Sequence, residues 1–360
     1  MLTRRLTPVR SVTYPVSRRA VLLGLGSLVS GGGLLLAGCT SAQGSTPLPG
    51  TAIPNAPSLQ TTQGKLLLTY KGHSNGVYVV RWSPDGRRIA SGSDGDSTVQ
   101  VWDANNGNHF LTYTGHVNAM GVFSLAWSPD GQRIVSGDNN STAQMWNVSD
   151  GSEVFEYKEH HGTVDALAWS PDGQRIVSGS GDNTAQVWEA SNGNRLLTYT
   201  GHGDSVDAVE WSLDGQRILS AGSNDQTVQI WDASTGNQIF TYTKQIGSVN
   251  AAVWSPDEKR VASSSGGETN VHVWNTSDGS LIFLYETHIG SVNSIAWSPD
   301  GKRIASCAAY DVQVWDAENG SQVFTYKGHT DIVQSVAWSP DGKRIASASS
   351  DNTVQIWMAQ

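Results

Sequence analysis

The stretch Val333-Gln-Ser-Val-Ala-Trp338, Ser339-Pro-Asp-Gly342, Lys343-Arg-Ile-Ala-Ser-Ala-Ser349, Ser350-Asp-Asn352, Thr353-Val-Gln-Ile-Trp357 decides the fold. Its three apolar runs are short, alternating and rich in β-branched residues, the pattern of half-buried strands. Ser339-Pro-Asp-Gly342 reads as a tight turn, because proline presets φ, aspartate bonds nearby backbone and glycine accepts positive φ. Earlier copies of the stretch add a fourth strand, as in Ser321-Gln-Val-Phe-Thr-Tyr-Lys327. No helical period interrupts them.

Working outward, the same text recurs from Lys65 to Gln360. One set of tryptophans opens Trp-Ser-x-Asp: Trp82, Trp127, Trp169, Trp211, Trp254, Trp297 and Trp338. A second set closes an alternating strand: Trp102, Trp146, Trp188, Trp231, Trp274, Trp315 and Trp357. Together they account for all 14 tryptophans. A period of about 42 residues repeated seven times marks a repeat architecture. Four short antiparallel strands per unit, arranged radially, make a β-propeller. The fold expected is therefore all-β: a seven-bladed propeller of four-stranded blades over residues 65–360. The last repeat lacks a fourth strand, whereas Lys65-Leu-Leu-Leu-Thr-Tyr-Lys71 matches the fourth-strand text Arg195-Leu-Leu-Thr-Tyr-Thr200. Residues 65–71 are expected to complete the last blade and close the ring.

Gly72-His73 before the first strand and Trp102-Asp103 after the third, in a pattern repeated seven times, resemble the WD40-repeat family. The resemblance implies a buried hydrogen-bond chain in each blade joining His, a strand Ser, Asp and Trp. The histidine position holds His73, His116, His160, His202, His288 and His329, with Gln245 in repeat five. The acid lies 22 or 23 residues downstream, six before the second tryptophan: Asp96, Asp182, Asp225 and Asp351. The blade networks so assigned are His73, Asp96 and Trp102; His160, Asp182 and Trp188; His202, Asp225 and Trp231; His329, Asp351 and Trp357. Asn140 takes the acid's place in repeat two and Glu268 in repeat five, and the loop before Asp311 is shortened. Blades two, five and six are expected to be the softer ones. Such a network fixes a blade rather than doing chemistry.

The residue four before each first tryptophan differs from repeat to repeat: Tyr78, Phe123, Asp165, Asp207, Asn250, Asn293 and Gln334. The resemblance places this row at the narrow top surface where partners dock. That implies a polarised face, aromatic on blades one and two, acidic on three and four, amide on five to seven. Met120, in a loop two residues longer than its counterparts, and Tyr310, in the altered loop of repeat six, join the same rim. Aromatic anchors among polar neighbours are the make-up of a binding hot spot. The plainer alternative is that Tyr78 and Phe123 pack against adjacent blades.

Other groups offer no chemistry. The Asp and Arg flanking each Trp-Ser-x-Asp turn, such as Asp85 and Arg88, can neutralise one another, a solvated pair contributing about 0–1 kcal/mol. Cys307 stands where other repeats have Gly, Ala or Ser and reads as a small buried residue. A nucleophilic thiol needs an oriented base, and none can be assigned. No catalytic residue, metal or cofactor is expected, and the chain reads as a monomer.

Residues 1–38 read as an export signal: arginines without acids, then an uncharged run from Ala20 to Gly38. Leu36-Ala37-Gly38-Cys39 resembles a bacterial lipobox, with Cys39 the lipidated residue. Ser17-Arg18-Arg19-Ala20-Val21-Leu22 resembles a twin-arginine signal. An uncleaved membrane helix is the alternative. Cys39 and the Pro-, Ser-, Thr- and Gly-rich residues up to 64 form a flexible linker. The propeller is thus expected outside the cytoplasm, anchored as a lipoprotein to the outer face of the cytoplasmic membrane. Of the 23 basic residues, five lie before Lys65, where no acid occurs, so the rest of the chain moves from −9 to −14. A body that acidic disfavours nucleic acid.

Two function classes follow. The first is a non-enzymatic scaffold docking a protein or peptide on its top face. The second is a propeller binding a small ligand or cation, or acting as a hydrolase, through Asp165 and Asp207, although two carboxylates are few for a hard cation.

Overall fold

The computed structural model describes residues 64–267, 269–286 and 288–359. The export signal, Cys39 and the linker up to residue 63 lie outside the described residues, as does Glu268. Among the described residues there are twenty-eight strands in seven antiparallel four-stranded sheets and no helix. Blade one runs from an innermost strand, Val77–Trp82, through Arg88–Ser93 and Val99–Asp103 to the outer strand His109–Tyr113. The other blades repeat this order, and each innermost strand packs on its two neighbours around the axis.

The last blade is completed from the other end of the chain. Leu66–Tyr70 pairs antiparallel with Val354–Met358, so that sheet reads outer strand first in sequence. Gly64 N–H donates to Met358 O at 2.8 Å and Met358 N–H to Lys65 O at 2.9 Å. In blade one the equivalent bonds are Gly107 N–H to Asp103 O at 2.8 Å and Asp103 N–H to Asn108 O at 2.9 Å. These bonds extend the pairing of Leu66–Tyr70 with Val354–Met358 and join the N-terminal strand to the last blade.

The core lies between blades. Every buried cluster draws on two adjacent sheets, and the closing one joins Val77, Val80, Trp82 and Trp102 to Ala346, Val354 and Ile356. All seven third-strand tryptophans are fully buried. Each removes roughly 200 Å² from water, about 5 kcal/mol at ~25 cal/mol per Å². An outer-strand tyrosine of the preceding blade stacks on each, as Tyr70 does on Trp102 with centroids 4.3 Å apart.

The turn aspartate and arginine make no direct ion pair, and the neutralisation expected from the sequence is confined to a longer-range attraction, as between Asp85 and Arg88. Asp85 accepts from Ser83 Oγ at 2.6 Å and Arg87 N–H at 3.0 Å, closing its own turn. The arginine instead reaches the next blade. Arg133 lies over Trp169, Arg175 over Trp211, Arg217 over Trp254, Arg260 over Trp297 and Arg303 over Trp338, and Arg344 closes the ring over Trp82. Arg344 also donates to Ala104 O at 3.3 Å. Cation–π contacts of this kind contribute about 0.5–2 kcal/mol. Arg88 is the exception and covers Phe110 of its own blade.

Candidate functional site

The end of the ring carrying the histidines is built on hydrogen-bond chains. In blade one His73 Nδ1 meets Asp96 Oδ2 at 3.0 Å and Nε2 meets Ser91 Oγ at 2.9 Å, while Trp102 Nε1 donates to Ser91 Oγ at 3.2 Å. His160, Asp182, Ser178 and Trp188 repeat this arrangement, as do His202, Asp225, Ser220 and Trp231, and His329, Asp351, Ser347 and Trp357. The aspartate does a second job. Its Oδ2 accepts the N–H of the residue after the histidine, Ser74, His161, Gly203 or Thr330, and pins the loop above. Burial pushes the Asp96 carboxyl up, but its bonds to His73 and Thr98 outweigh that and hold it down at about 2.

Blade two corrects the sequence reading. Asn140 is not the partner of its histidine: Asp138, the last residue of the second strand, bonds His116 Nδ1 at 2.8 Å and is itself buried. Ser136 and Trp146 complete that chain, although Val117 N–H donates to Gly115 O rather than to the aspartate. The signal was present, since Asp138 lies 22 residues after His116, but counting six back from Trp146 stops two residues short, at Asn140. In blade six Asp311 stands 3.9 Å from His288 Nδ1, which has no partner among the described residues. Burial lowers the His288 pKa to about 4. In blade five Gln245 Nε2 donates to Ser263 Oγ, and Gln245 Oε1 is buried without a partner among the described residues.

Above these chains lies the variable row. In every blade the register between the innermost and second strands slips at this residue, as between Val77 and Val79 around Tyr78. A bulged residue is unpaired in the ladder and its side chain is re-aimed. Tyr78 and Phe123 pack edge to face, centroids 5.0 Å apart, and both stay half-buried. Ser205 Oγ lies 2.8 Å from Asp207 Oδ1 and 3.4 Å from Asp165 Oδ2, between the two carboxylates. Asn250 Nδ2 donates to Val292 O at 3.1 Å and Asn293 Nδ2 to Val333 O at 3.0 Å, each clipping the next blade. Gln334 Nε2 donates to Ser350 Oγ at 3.0 Å. Asn250 and Asn293 thus join adjacent blades, whereas the Gln334 bond stays within blade seven. Met120 and Tyr310 are 71% and 58% exposed on the rim.

Sequence reasoning missed three neighbours of this rim. Val117, Ile246 and Ile289 follow the histidine position in blades two, five and six and are exposed, where other repeats carry Ser, His, Gly or Thr. It also missed a polar recess of about 480 Å³ lined by Asp138, Glu153, Glu156 and His160, in which Lys158 pairs with Glu156 at 2.6 Å. Cys307 is fully buried in its strand, and burial pushes its thiol up to about 12. Among the described residues no group of three or more His, Cys, Asp or Glu could hold a metal ion.

A ring of seven such blades, six with a His–Ser–Trp core and the fifth with Gln245 in the histidine's place, defines a class. The WD domain, G-beta repeat family matches residues 64–103, 107–147, 151–189 and 320–358. The chain carries WD40 repeats folded as a seven-bladed β-propeller. Residues 189–338 match a second family, described as eukaryotic translation initiation factor eIF2A. Among curated proteins, the chain is 41% identical over 54 residues to periodic tryptophan protein 2 of Arabidopsis thaliana, covering 15% of this chain and 6% of that protein. It is 44% identical over 43 residues to protein HIRA of Zea mays, covering 12% and 4%. The likeness to both is thus confined to about one repeat.

Proposed function

We propose that the chain is a non-enzymatic interaction scaffold that docks a protein or peptide partner on the histidine end of the ring. One observation carries this reading: the blades share one core chemistry, whereas the bulged row and the loop residues around it differ from blade to blade. A surface that varies on a constant frame is where recognition is placed. The aromatic pair Tyr78 and Phe123, with Met120 beside them in sequence, supplies the anchor. Asp165 and Asp207 supply the polar neighbours.

The proposal includes an address. The arginines and apolar run of residues 1–38 and the Leu36-Ala37-Gly38-Cys39 motif support export and lipid attachment at Cys39, holding the disc by the linker at the outer face of a bacterial cytoplasmic membrane. Metabolic labelling with an alkyne fatty acid tests the anchor: label on the wild type and none on Cys39→Ser is expected, and equal label on both refutes it.

The docking test compares tagged wild type with a Tyr78→Ser, Phe123→Ser, Asp165→Asn variant in native envelope extract. Both are first shown to melt alike. A partner recovered only with wild type supports the scaffold and this face. Equal recovery moves the site elsewhere on the ring. No partner with either redirects the search to a small ligand or cation at Asp165 and Asp207.

A further inference from the structure

Blades five and six present a patch that the docking reading does not use. Ile246 is 62% exposed and Ile289 85% exposed at equivalent positions of adjacent blades, and Tyr310 stands on the same end of blade six. Large apolar side chains this open on neighbouring loops mark interaction sites. The loops that carry them form a continuous surface. Ser291 Oγ of the Ile289 loop donates to Gly266 O at 2.9 Å, joining blade six to blade five. Ser248 Oγ of the Ile246 loop donates to Asn224 Oδ1 at 3.0 Å, and Asn224 Nδ2 to Asp204 Oδ1 at 3.2 Å, joining blade five to blade four. On the other side Val333 N–H donates to Ala309 O at 2.7 Å, joining blade seven to the turn that holds Tyr310.

Those connections tie in Asp204 on blade four, and on blade seven Asp331 lies two residues before Val333. The charge around the patch is mainly acidic, the exposed exception being Lys327, whose charge acts on Asp311. Between each histidine position and its innermost strand, and in all seven loops from second to third strand, the sequence contains no lysine or arginine. Lys244, the one base in the upper loops of blade five, is bonded to Gly279 O at 3.2 Å. The Ile289 loop is also less firmly tied than those of blades one, three, four and seven. Asp311 stops 3.9 Å short of His288, no clip to Ile289 N–H forms among the described residues, and Gly290 sits at φ 101° with open space around it.

We propose that this sector binds a basic amphipathic segment of a partner protein, with aliphatic side chains on Ile246, Ile289 and Tyr310 and lysine or arginine residues over Asp204 and Asp331. The proposal rests on the docking reading and names the partner's chemistry and a second contact sector. Complementary charge sets the orientation and speeds encounter, and the apolar centre supplies the affinity.

The test uses a random twelve-residue peptide library displayed on phage, selected against the wild-type chain. Selected sequences are expected to pair lysine or arginine with leucine, isoleucine or valine. The best of them, as a synthetic peptide, is expected to bind at least tenfold more weakly to Ile246→Ser, Ile289→Ser and to Asp204→Asn, Asp331→Asn, and to lose affinity as salt rises. Val323→Ser, on an outer strand, is expected to change nothing, and thermal melts confirm that all variants fold. Selection of acidic or neutral sequences, equal affinity for the variants, or no enrichment at all overturns the proposal. If it fails while envelope recovery still depends on Tyr78 and Phe123, the docking reading stands and only this sector and its occupant fall.

Discussion

Glu210 makes ring stability depend on pH near neutrality. The residue before each inner tryptophan is Ala126, Ala168, Val253, Ala296 or Ala337 in five blades, but Arg81 in blade one and Glu210 in blade four. Glu210 Oε2 accepts the N–H of Trp254 at 2.7 Å and so links two innermost strands. Burial raises its pKa from 4.5 to about 7, against the Trp254 bond and the attraction of Arg81, with repulsion from Glu258 adding to it. Arg81 in turn bonds Val80 O at 2.9 Å and Ser335 Oγ at 3.2 Å, and Glu258 is held by Arg217 at 2.7 Å.

A carboxyl with a raised folded-state pKa contributes its stability below the unfolded value and loses it as pH rises through the folded one. The 2.5-unit difference corresponds to about 3 kcal/mol in all, of which about 2.5 kcal/mol is lost between pH 5 and 8. Glu210→Gln keeps an acceptor for Trp254 and removes the ionisation. Urea midpoints of both proteins at pH 5, 6, 7 and 8 measure the effect, because other titrating groups contribute equally to each. The wild type is expected to lose about 2.5 kcal/mol more than the variant over that range. Parallel pH curves for the two proteins would refute the reasoning.

Three further outcomes follow from the same contacts. Asp138→Asn is expected to cost about 2 kcal/mol in urea unfolding by weakening a buried bond to His116, and Asn140→Asp to stay within about 0.5 kcal/mol; the reverse order would return the network to Asn140. His160→Gln should cost about 2 kcal/mol because it breaks the link to Asp182, whereas His288→Gln should cost under about 1 kcal/mol, since among the described residues that histidine is hydrogen-bonded to Ser306 alone and blade five already uses Gln245. Removing residues 64–71 deletes a strand, the Tyr70–Trp102 stack and the Leu68 contact with Gly107, a loss of about 5 kcal/mol; an unchanged melting curve would rule out closure by this segment.

The sequence by itself determined the blade count, the strand order and the closing strand. These follow from a 42-residue period written in local terms: alternation, turn chemistry and tryptophans at fixed offsets. Local signals suffice because each blade is made of hairpins between chain neighbours. What only the tertiary structure decided lies between blades. The turn arginines looked paired with an aspartate three residues away, yet they lie over the next blade's tryptophan, about 36 residues on in sequence. Asn250 and Asn293 looked like surface amides, yet they clip carbonyls some 40 residues away. Asp138 replaced Asn140 because the end of a strand and a loop residue can reach the same histidine, and a fixed offset cannot tell them apart. Arg81 and Glu210 face one axis only because the ring closes. The exposed patch on blades five and six was likewise hidden, since an isoleucine in a loop reads as apolar wherever it points. Exposure is a property of packed neighbours, and those are set by the ring rather than by the repeat.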